Sequence, residues 1–214
     1  GISKIYKTLI INSPDCFSDI RKKWEDLLGK LEEEDWRDAC MAPREVAISS
    51  RFRIIQFKYL HMAYRTPTSI HRAHPGYSPS CPRCSWPKAD FFHMAWACPK
   101  IGEFWEKIKG VLTRVIERVV VLTPKVAILG ILFETGGTRG DRTLIGLATI
   151  IAKRDIAKRW MSPQAPKLSE WKAGMDWASK MEEHVYLARG CPEKHTRIWG
   201  KWWTYYGLNP HLTL

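Results

Sequence analysis

The sequence predicts an all-α protein whose helices are pinned around one short cluster of metal-ligating residues. Three observations carry this. Apolar residues recur at three- and four-residue intervals through most of the chain, and no stretch shows the period-two alternation of a half-buried strand. Proline and glycine fall between these periodic segments, where helices stop and start. Three of the six cysteines, Cys81, Cys84 and Cys98, gather with His93 inside 18 residues.

The elements follow in order. Asp19–Lys30 places Ile20, Trp24, Leu27 and Leu28 at helical spacing, with Gly29 as a stop. Glu32–Met41 reads as a short acidic helix around Trp36, ended by Pro43. A longer helix over Ile48–Arg65 carries Phe52, Ile55, Tyr59 and Met62 on one stripe and Arg51, Lys58 and Arg65 on the other side; Pro67 ends it. Thr68–Arg72 adds a turn of helix before the Pro/Gly/Ser loop at 74–80. Pro99–Val119 has Ile101, Phe104, Trp105, Ile108, Leu112, Val115 and Ile116 on its apolar side. Thr123-Pro124 caps a short helix over Lys125–Leu132, and Gly136-Gly137-Thr138-Arg139-Gly140 reads as a linker, because it lacks the strand and spacing of a phosphate loop.

Arg142–Met161 is predicted as a strong helix, and Glu170–Ala188 follows with Ser169 as N-cap. Glu193–Tyr206 is the last helix, with Trp199, Trp203 and Tyr206 expected in the core. The chain divides at its loops into a helical part over 1–75, a metal knuckle with its following helix over 76–122, and a second helical part over 123–214, or runs through all three as one continuous domain. It begins at Gly1, without an initiator methionine, and is expected to be a piece of something longer.

The knuckle has the spacing Cys-x2-Cys-x8-His-x4-Cys. Three thiolates and a neutral imidazole are a closed tetrahedral set for one Zn²⁺, and four protein ligands leave no open position for a catalytic water. The expected ligands are Cys81, Cys84, His93 and Cys98, with His71 or His74 as alternatives to His93. Pro99 suits a first helical position, which puts Cys98 at a helix N-terminus where the macrodipole favours a thiolate. The other cysteines, Cys16, Cys40 and Cys191, are expected as unpaired thiols in a reducing compartment.

Thirty-four basic and 22 acidic residues give a net charge of +12, unevenly placed. Residues 1–42 carry seven basic and nine acidic side chains, residues 43–80 six and one, and residues 136–161 six and two. A polyanionic partner is expected on the two basic stretches. Lys153, Arg154 and Lys158 fall within about a 140° arc of one helix, with Arg159 about 100° further round, a basic ridge flanking an apolar stripe. No apolar run approaches the roughly 18 residues of a membrane span.

Further stretches carry a resemblance. They are Lys23-Trp24-Glu25-Asp26-Leu27, Glu34-Asp35-Trp36, Ile54-Ile55-Gln56-Phe57-Lys58-Tyr59-Leu60-His61, Tyr64-Arg65-Thr66-Pro67 and Ser78-Pro79-Ser80-Cys81-Pro82-Arg83-Cys84. His93-Met94-Ala95-Trp96-Ala97-Cys98-Pro99, Phe104-Trp105 and Ile150-Ile151-Ala152-Lys153-Arg154-Asp155-Ile156-Ala157-Lys158-Arg159-Trp160 continue it. Together they resemble the cysteine-rich C-terminal segment of the second open-reading-frame protein of LINE-1-type non-LTR retrotransposons, over about residues 1–175. Pro82 stands where many members have Trp, and the knuckle is longer than the retroviral type.

The resemblance implies a nucleic-acid-binding tail that follows the polymerase thumb of an RNA-directed DNA polymerase with an endonuclease. It would act in target-primed reverse transcription within an intracellular ribonucleoprotein of nucleus and cytoplasm. The paired aspartates of the polymerase and the endonuclease motifs are missing from this sequence, so no enzyme activity is expected of the piece itself. His61, His71 and His74 lack a paired carboxylate or nucleophile. The expected partners are RNA or RNA–DNA hybrid, with target DNA a further candidate, and the rest of the polymerase in cis. The expected contacts are Arg51, Arg53, Lys58, Arg65, Arg72, Arg83, Lys88, Lys153, Arg154, Lys158 and Arg159, with Trp86 stacking on a base because a loop is a poor place to bury an indole. The competing expectation is a zinc-stapled scaffold or partner-docking module without nucleic-acid recognition.

Overall fold

The computed structural model describes residues 16–207, with side chains from residue 18 onward. Every regular element among them is helical. The helices are α1 (Cys16–Leu28), α2 (Glu33–Val46), α3 (Ser50–Leu60), α4 (Pro67–Ala73), α5 (Pro99–Ile116), α6 (Arg139–Lys158), α7 (Leu168–Ala188) and α8 (Pro192–Tyr206). Short π-helical turns at His93–Ala97 and Lys125–Leu129 and a 3₁₀ turn at Phe133–Thr135 complete the set. No helix here is long and apolar enough to cross a membrane. The expectation for Cys16 as a thiol lies outside the described side chains.

Helix α6 is the axis of the molecule. From Leu144 to Lys153 every residue is buried, and α2, α3, α5, α7 and α8 all pack on it. A helix enclosed on all sides is apolar all round, and the run Leu144-Ile145-Gly146-Leu147-Ala148-Thr149-Ile150-Ile151-Ala152 has that character. The helix starts at Arg139, three residues earlier than its apolar pattern predicts. Thr138 and Asp141 form a capping box in which each side chain accepts the other's backbone N–H, at 3.1 and 3.0 Å. The glycine-rich stretch read as a linker is therefore the start of α6. Gly140 has a packing role: a Cβ there would lie 2.2 Å from the carbonyl oxygen of Arg197 on α8.

Two boundaries differ from expectation for identifiable reasons. Pro43 lies inside α2 instead of ending it, and it is buried together with Ala42 and Val46. Proline inside a helix costs about 3 kcal/mol, while burying one valine recovers about 1.5–3 kcal/mol. Helix α3 stops at Leu60, five residues short of Arg65, because two indoles take the carbonyls beyond it. Trp24 Nε1 donates to Leu60 O at 2.8 Å, and Trp160 Nε1 donates to Arg65 O at 2.7 Å. Met62 turns the chain with φ of 49°, and Pro67 disfavours helical backbone at Thr66. Thr66 instead caps α4 in a second capping box with Ser69.

Trp199 and Trp203 of α8 are buried as expected, and Tyr206 packs half-buried against the core. Cys40 and Cys191 are unpaired thiols, also as expected. Between α7 and α8 lies a carboxylate that the core holds in an unfavourable place. Glu182 is 5% exposed and accepts the Trp199 indole N–H at 2.9 Å. Burial pushes its carboxyl up to about 7, against the opposing effects of that indole and the Ile48 amide. A carboxyl raised on folding contributes stability that is complete below its unfolded value and lost as pH rises through the folded one. Glu182→Gln keeps an oxygen for Trp199 and removes the titration. It should be more stable than the parent by about 2–3 kcal/mol at pH 8 and indistinguishable near pH 4 in denaturant midpoints measured across pH.

Candidate metal centre and basic surface

The metal-ligand cluster is assembled by two tight backbone turns. In the first, Cys81 N–H donates to Trp86 O at 2.8 Å and Ser85 N–H donates to Cys81 O at 2.9 Å. Ser85 adopts φ of 61°, so the chain reverses within six residues and turns Cys81 and Cys84 toward one point. The second is the π turn. Asp90 Oδ1 accepts the His93 N–H at 2.7 Å, and Cys98 N–H donates to His93 O at 2.9 Å. This i→i+5 bond fixes the spacing of the last two ligands, and single π turns recur at functional sites. Cys98 is the N-cap of α5, with Pro99 in its first turn, as predicted.

The ligand atoms of Cys81, Cys84, His93 and Cys98 all lie within 4.8 Å of one another. Cys81 Sγ and Cys98 Sγ are 3.9 Å apart, and Cys84 Sγ is 3.3 Å from His93 Nε2. A tetrahedral ion with bonds of about 2.3 Å to sulfur and 2.0 Å to nitrogen needs S···S edges of about 3.8 Å and S···N edges of about 3.5 Å. The cluster therefore has the dimensions to hold one metal ion. Neither His71 nor His74 belongs to it; His71 Nδ1 lies 2.6 Å from Tyr77 O, and His74 is exposed.

Burial acts on three of the four groups, and at Cys98 it outweighs the expected effect of the helix N-terminus. Burial lowers the His93 imidazole below its ordinary value and so favours the neutral ligand form. Burial pushes the Cys98 thiol up to about 11, although the amides of Ile101 and Lys100 pull the other way. At Cys81 burial also raises the thiol, but the amides of Arg83 and Cys84 outweigh it and the net shift is downward. Buried sulfurs of this kind are stabilised as thiolates by a bound cation.

Two neighbours of the cluster have structural duties that sequence reasoning missed. Arg83, between two ligands, is buried and points across the interface to the end of α6. Its guanidinium donates to Arg159 O at 2.8 Å, Trp160 O at 2.9 Å and Met94 O at 3.3 Å. It satisfies carbonyls of the turn that follows a helix C-terminus, so the expectation that it contacts phosphate is corrected. Trp86 is 57% exposed, as predicted, yet its ring stacks on His93 with centroids 6.1 Å apart and planes 13° from parallel. It shields the histidine on its outer side.

The expected basic ridge also loses one of its four members. Lys153 is fully buried, with its ammonium donating to Gln56 Oε1 and to Ile128 O at 3.2 Å. Gln56 Nε2 in turn donates to Ile128 O at 3.0 Å and Leu129 O at 2.8 Å. The two side chains satisfy carbonyls at the end of the π turn Lys125–Leu129, which explains a polar pair in the core. Burial holds the Lys153 amine well below its ordinary value. Arg154 and Lys158 both pair with Asp155, at 3.0 and 3.5 Å, and Arg159 pairs with Glu170 at 2.5 Å.

The remaining expected contacts, Arg51, Arg53, Lys58, Arg65, Arg72 and Lys88, are exposed. None of them forms an ion pair among the described residues, although Arg53 Nε donates to Ala47 O at 2.7 Å. No family model matches the chain.

Substitutions separate the staple from its neighbour. Cys84→Ser should release the metal and lower the melting temperature of residues around the cluster. Arg83→Met should keep full metal content while losing about 2–3 kcal/mol, because carbonyls at Met94 and just past α6 lose a charged donor. Metal content by mass spectrometry and thermal unfolding of both variants check this.

Proposed function

We propose that the chain is a Zn²⁺-stapled nucleic-acid-binding module of the kind carried at the C-terminus of LINE-1-type retrotransposon polymerases. In this reading it holds element RNA, or the RNA–DNA hybrid, beside the polymerase during target-primed reverse transcription, and does no chemistry itself. The choice of zinc follows from three sulfurs and one imidazole in a closed set, a soft donor combination with tetrahedral demands.

The observation that carries the reading is the outer face of α3. Arg51, Arg53, Ile54, Phe57 and Lys58 are exposed there, and the helix has no acidic residue in its sequence Ser50–Leu60. Phe57 is 53% exposed, beside His61 with ring centroids 4.1 Å apart. Exposed cations without acidic partners, interleaved with an exposed aromatic ring, suit phosphates and unpaired bases. Arg65 and Arg72 extend the unpaired charge along the chain.

One observation favours the scaffold reading. Val119, Val121 and Phe133 are exposed apolar side chains on the segments that follow α5, a surface suited to docking on protein.

Salt separates the two. Binding to single-stranded RNA should weaken steeply with salt, and Lys58→Ala/Arg65→Ala/Arg72→Ala should flatten the slope of log affinity against log salt by about two units, at about 0.7 per contact. The loss should be similar across sequences, as for backbone contacts. A parent protein with no salt-dependent RNA affinity would leave the scaffold reading in place.

A further inference from the structure

Between the start of α3, the end of α6 and the middle of α7 lies an open cleft of about 250 Å³. Arg51, Phe52, Ile55, Arg154, Lys158 and Trp177 line it. Trp177 differs from most indoles of this protein. Trp24, Trp105, Trp160, Trp171, Trp199 and Trp202 each donate their ring N–H to a carbonyl or carboxylate. Trp177 is 47% exposed, and its N–H has no partner among the described residues. The fold fixes the ring nonetheless: Phe52 meets it edge-to-face, with centroids 6.5 Å apart and planes at 81°.

The charged wall is built with similar care. Arg154 lies against Gly174, one turn before Trp177 on α7, where a Cβ would come within 2.4 Å of its Nη2. A side chain here would displace the guanidinium from its present path and crowd Ile151. Asp155, buried behind the wall, pairs with both Arg154 and Lys158. One carboxylate thus orients two cations, and with Arg51 unpaired the cleft carries three positive groups against one negative. The occupant that matches is a flat π-system with anionic groups on either side.

We infer that this cleft receives an unpaired base of single-stranded nucleic acid, stacked on Trp177, with its flanking phosphates held by Arg51 and Lys158. The inference rests on the nucleic-acid reading above and adds to it a mode of recognition. A duplex keeps its base faces stacked inside, so only a single strand, a loop or a frayed end can use the indole. The cleft therefore selects unpaired strand over duplex, whereas the cations of α3 do not discriminate.

The test is equilibrium binding of a labelled uridine 12-mer, an abasic 12-mer and an RNA duplex of equal length to the parent chain, Trp177→Ala, Trp177→Phe and Arg51→Ala/Lys158→Ala. Melting temperatures confirm that each variant is folded. Trp177→Ala should lose about five- to a hundredfold in affinity for the uridine strand. Its salt slope, duplex affinity and abasic affinity should stay unchanged, and Trp177→Phe should recover most of the loss. Arg51→Ala/Lys158→Ala should flatten the single-strand slope by about 1.4 units. Parent-like uridine binding by folded Trp177→Ala overturns the cleft and leaves the nucleic-acid reading standing. No binding of any strand by the parent overturns that reading, and the cleft with it. A polyglutamate peptide that binds the parent and loses affinity in Trp177→Ala, with uridine binding unchanged, overturns the cleft as a base site and assigns it to acidic protein.

Discussion

The guanidinium of Arg83 joins the two halves of this protein's architecture. It leaves the backbone between two candidate metal ligands, and its N–H groups end on the carbonyls of Arg159 and Trp160, just past the central helix. A charged donor to a buried acceptor contributes about 1.5–3 kcal/mol, and the negative end of the helix macrodipole adds to the attraction. The side chain can reach those carbonyls only while the turn from Cys81 to Trp86 holds its shape. A metal ion on the four ligands would fix that turn, and so the position of α6 against the knuckle.

Around this tie the aromatic residues form a continuous frame. Trp160, at the capped end, donates to Arg65 O, while Tyr59 donates to Lys153 O at 2.9 Å and Trp24 to Leu60 O. Phe91, just before the π turn, meets Trp24, Tyr59 and Trp160 with ring centroids 6.1, 5.7 and 5.4 Å apart. Lys158 and Arg154, which face the cleft of Trp177, lie within two turns of the same helix end. Loss of the metal would loosen both the knuckle and the footing of these cations. The candidate metal centre and the cleft are thus tied through the end of one helix.

Much of this was legible in the sequence where one local rule governs. The ligand spacing located the cluster, Pro99 located the start of α5, and apolar periodicity located the longer helices. The destinations of charged residues were not legible in the same way. Lys153 and Arg83 look like neighbours of other surface cations, but each is drawn inside by carbonyls at the end of a π turn or just past a helix, and those acceptors are in place only after the chain has folded. The end of α3 escaped for a related reason: the indoles that claim its last carbonyl and that of Arg65 come from residues 24 and 160, far away in sequence. A clue to the burial of Lys153 was present in the all-round apolar run that precedes it. Gly174 gave no local signal at all, since its value lies in the guanidinium that crosses it.

X-ray absorption at the metal edge of the purified protein tests the four-ligand centre most directly. The proposed centre is one zinc per chain with three sulfur neighbours at about 2.3 Å and one nitrogen at about 2.0 Å. A first shell with fewer than three sulfurs, or a folded chain that binds no metal, would contradict it.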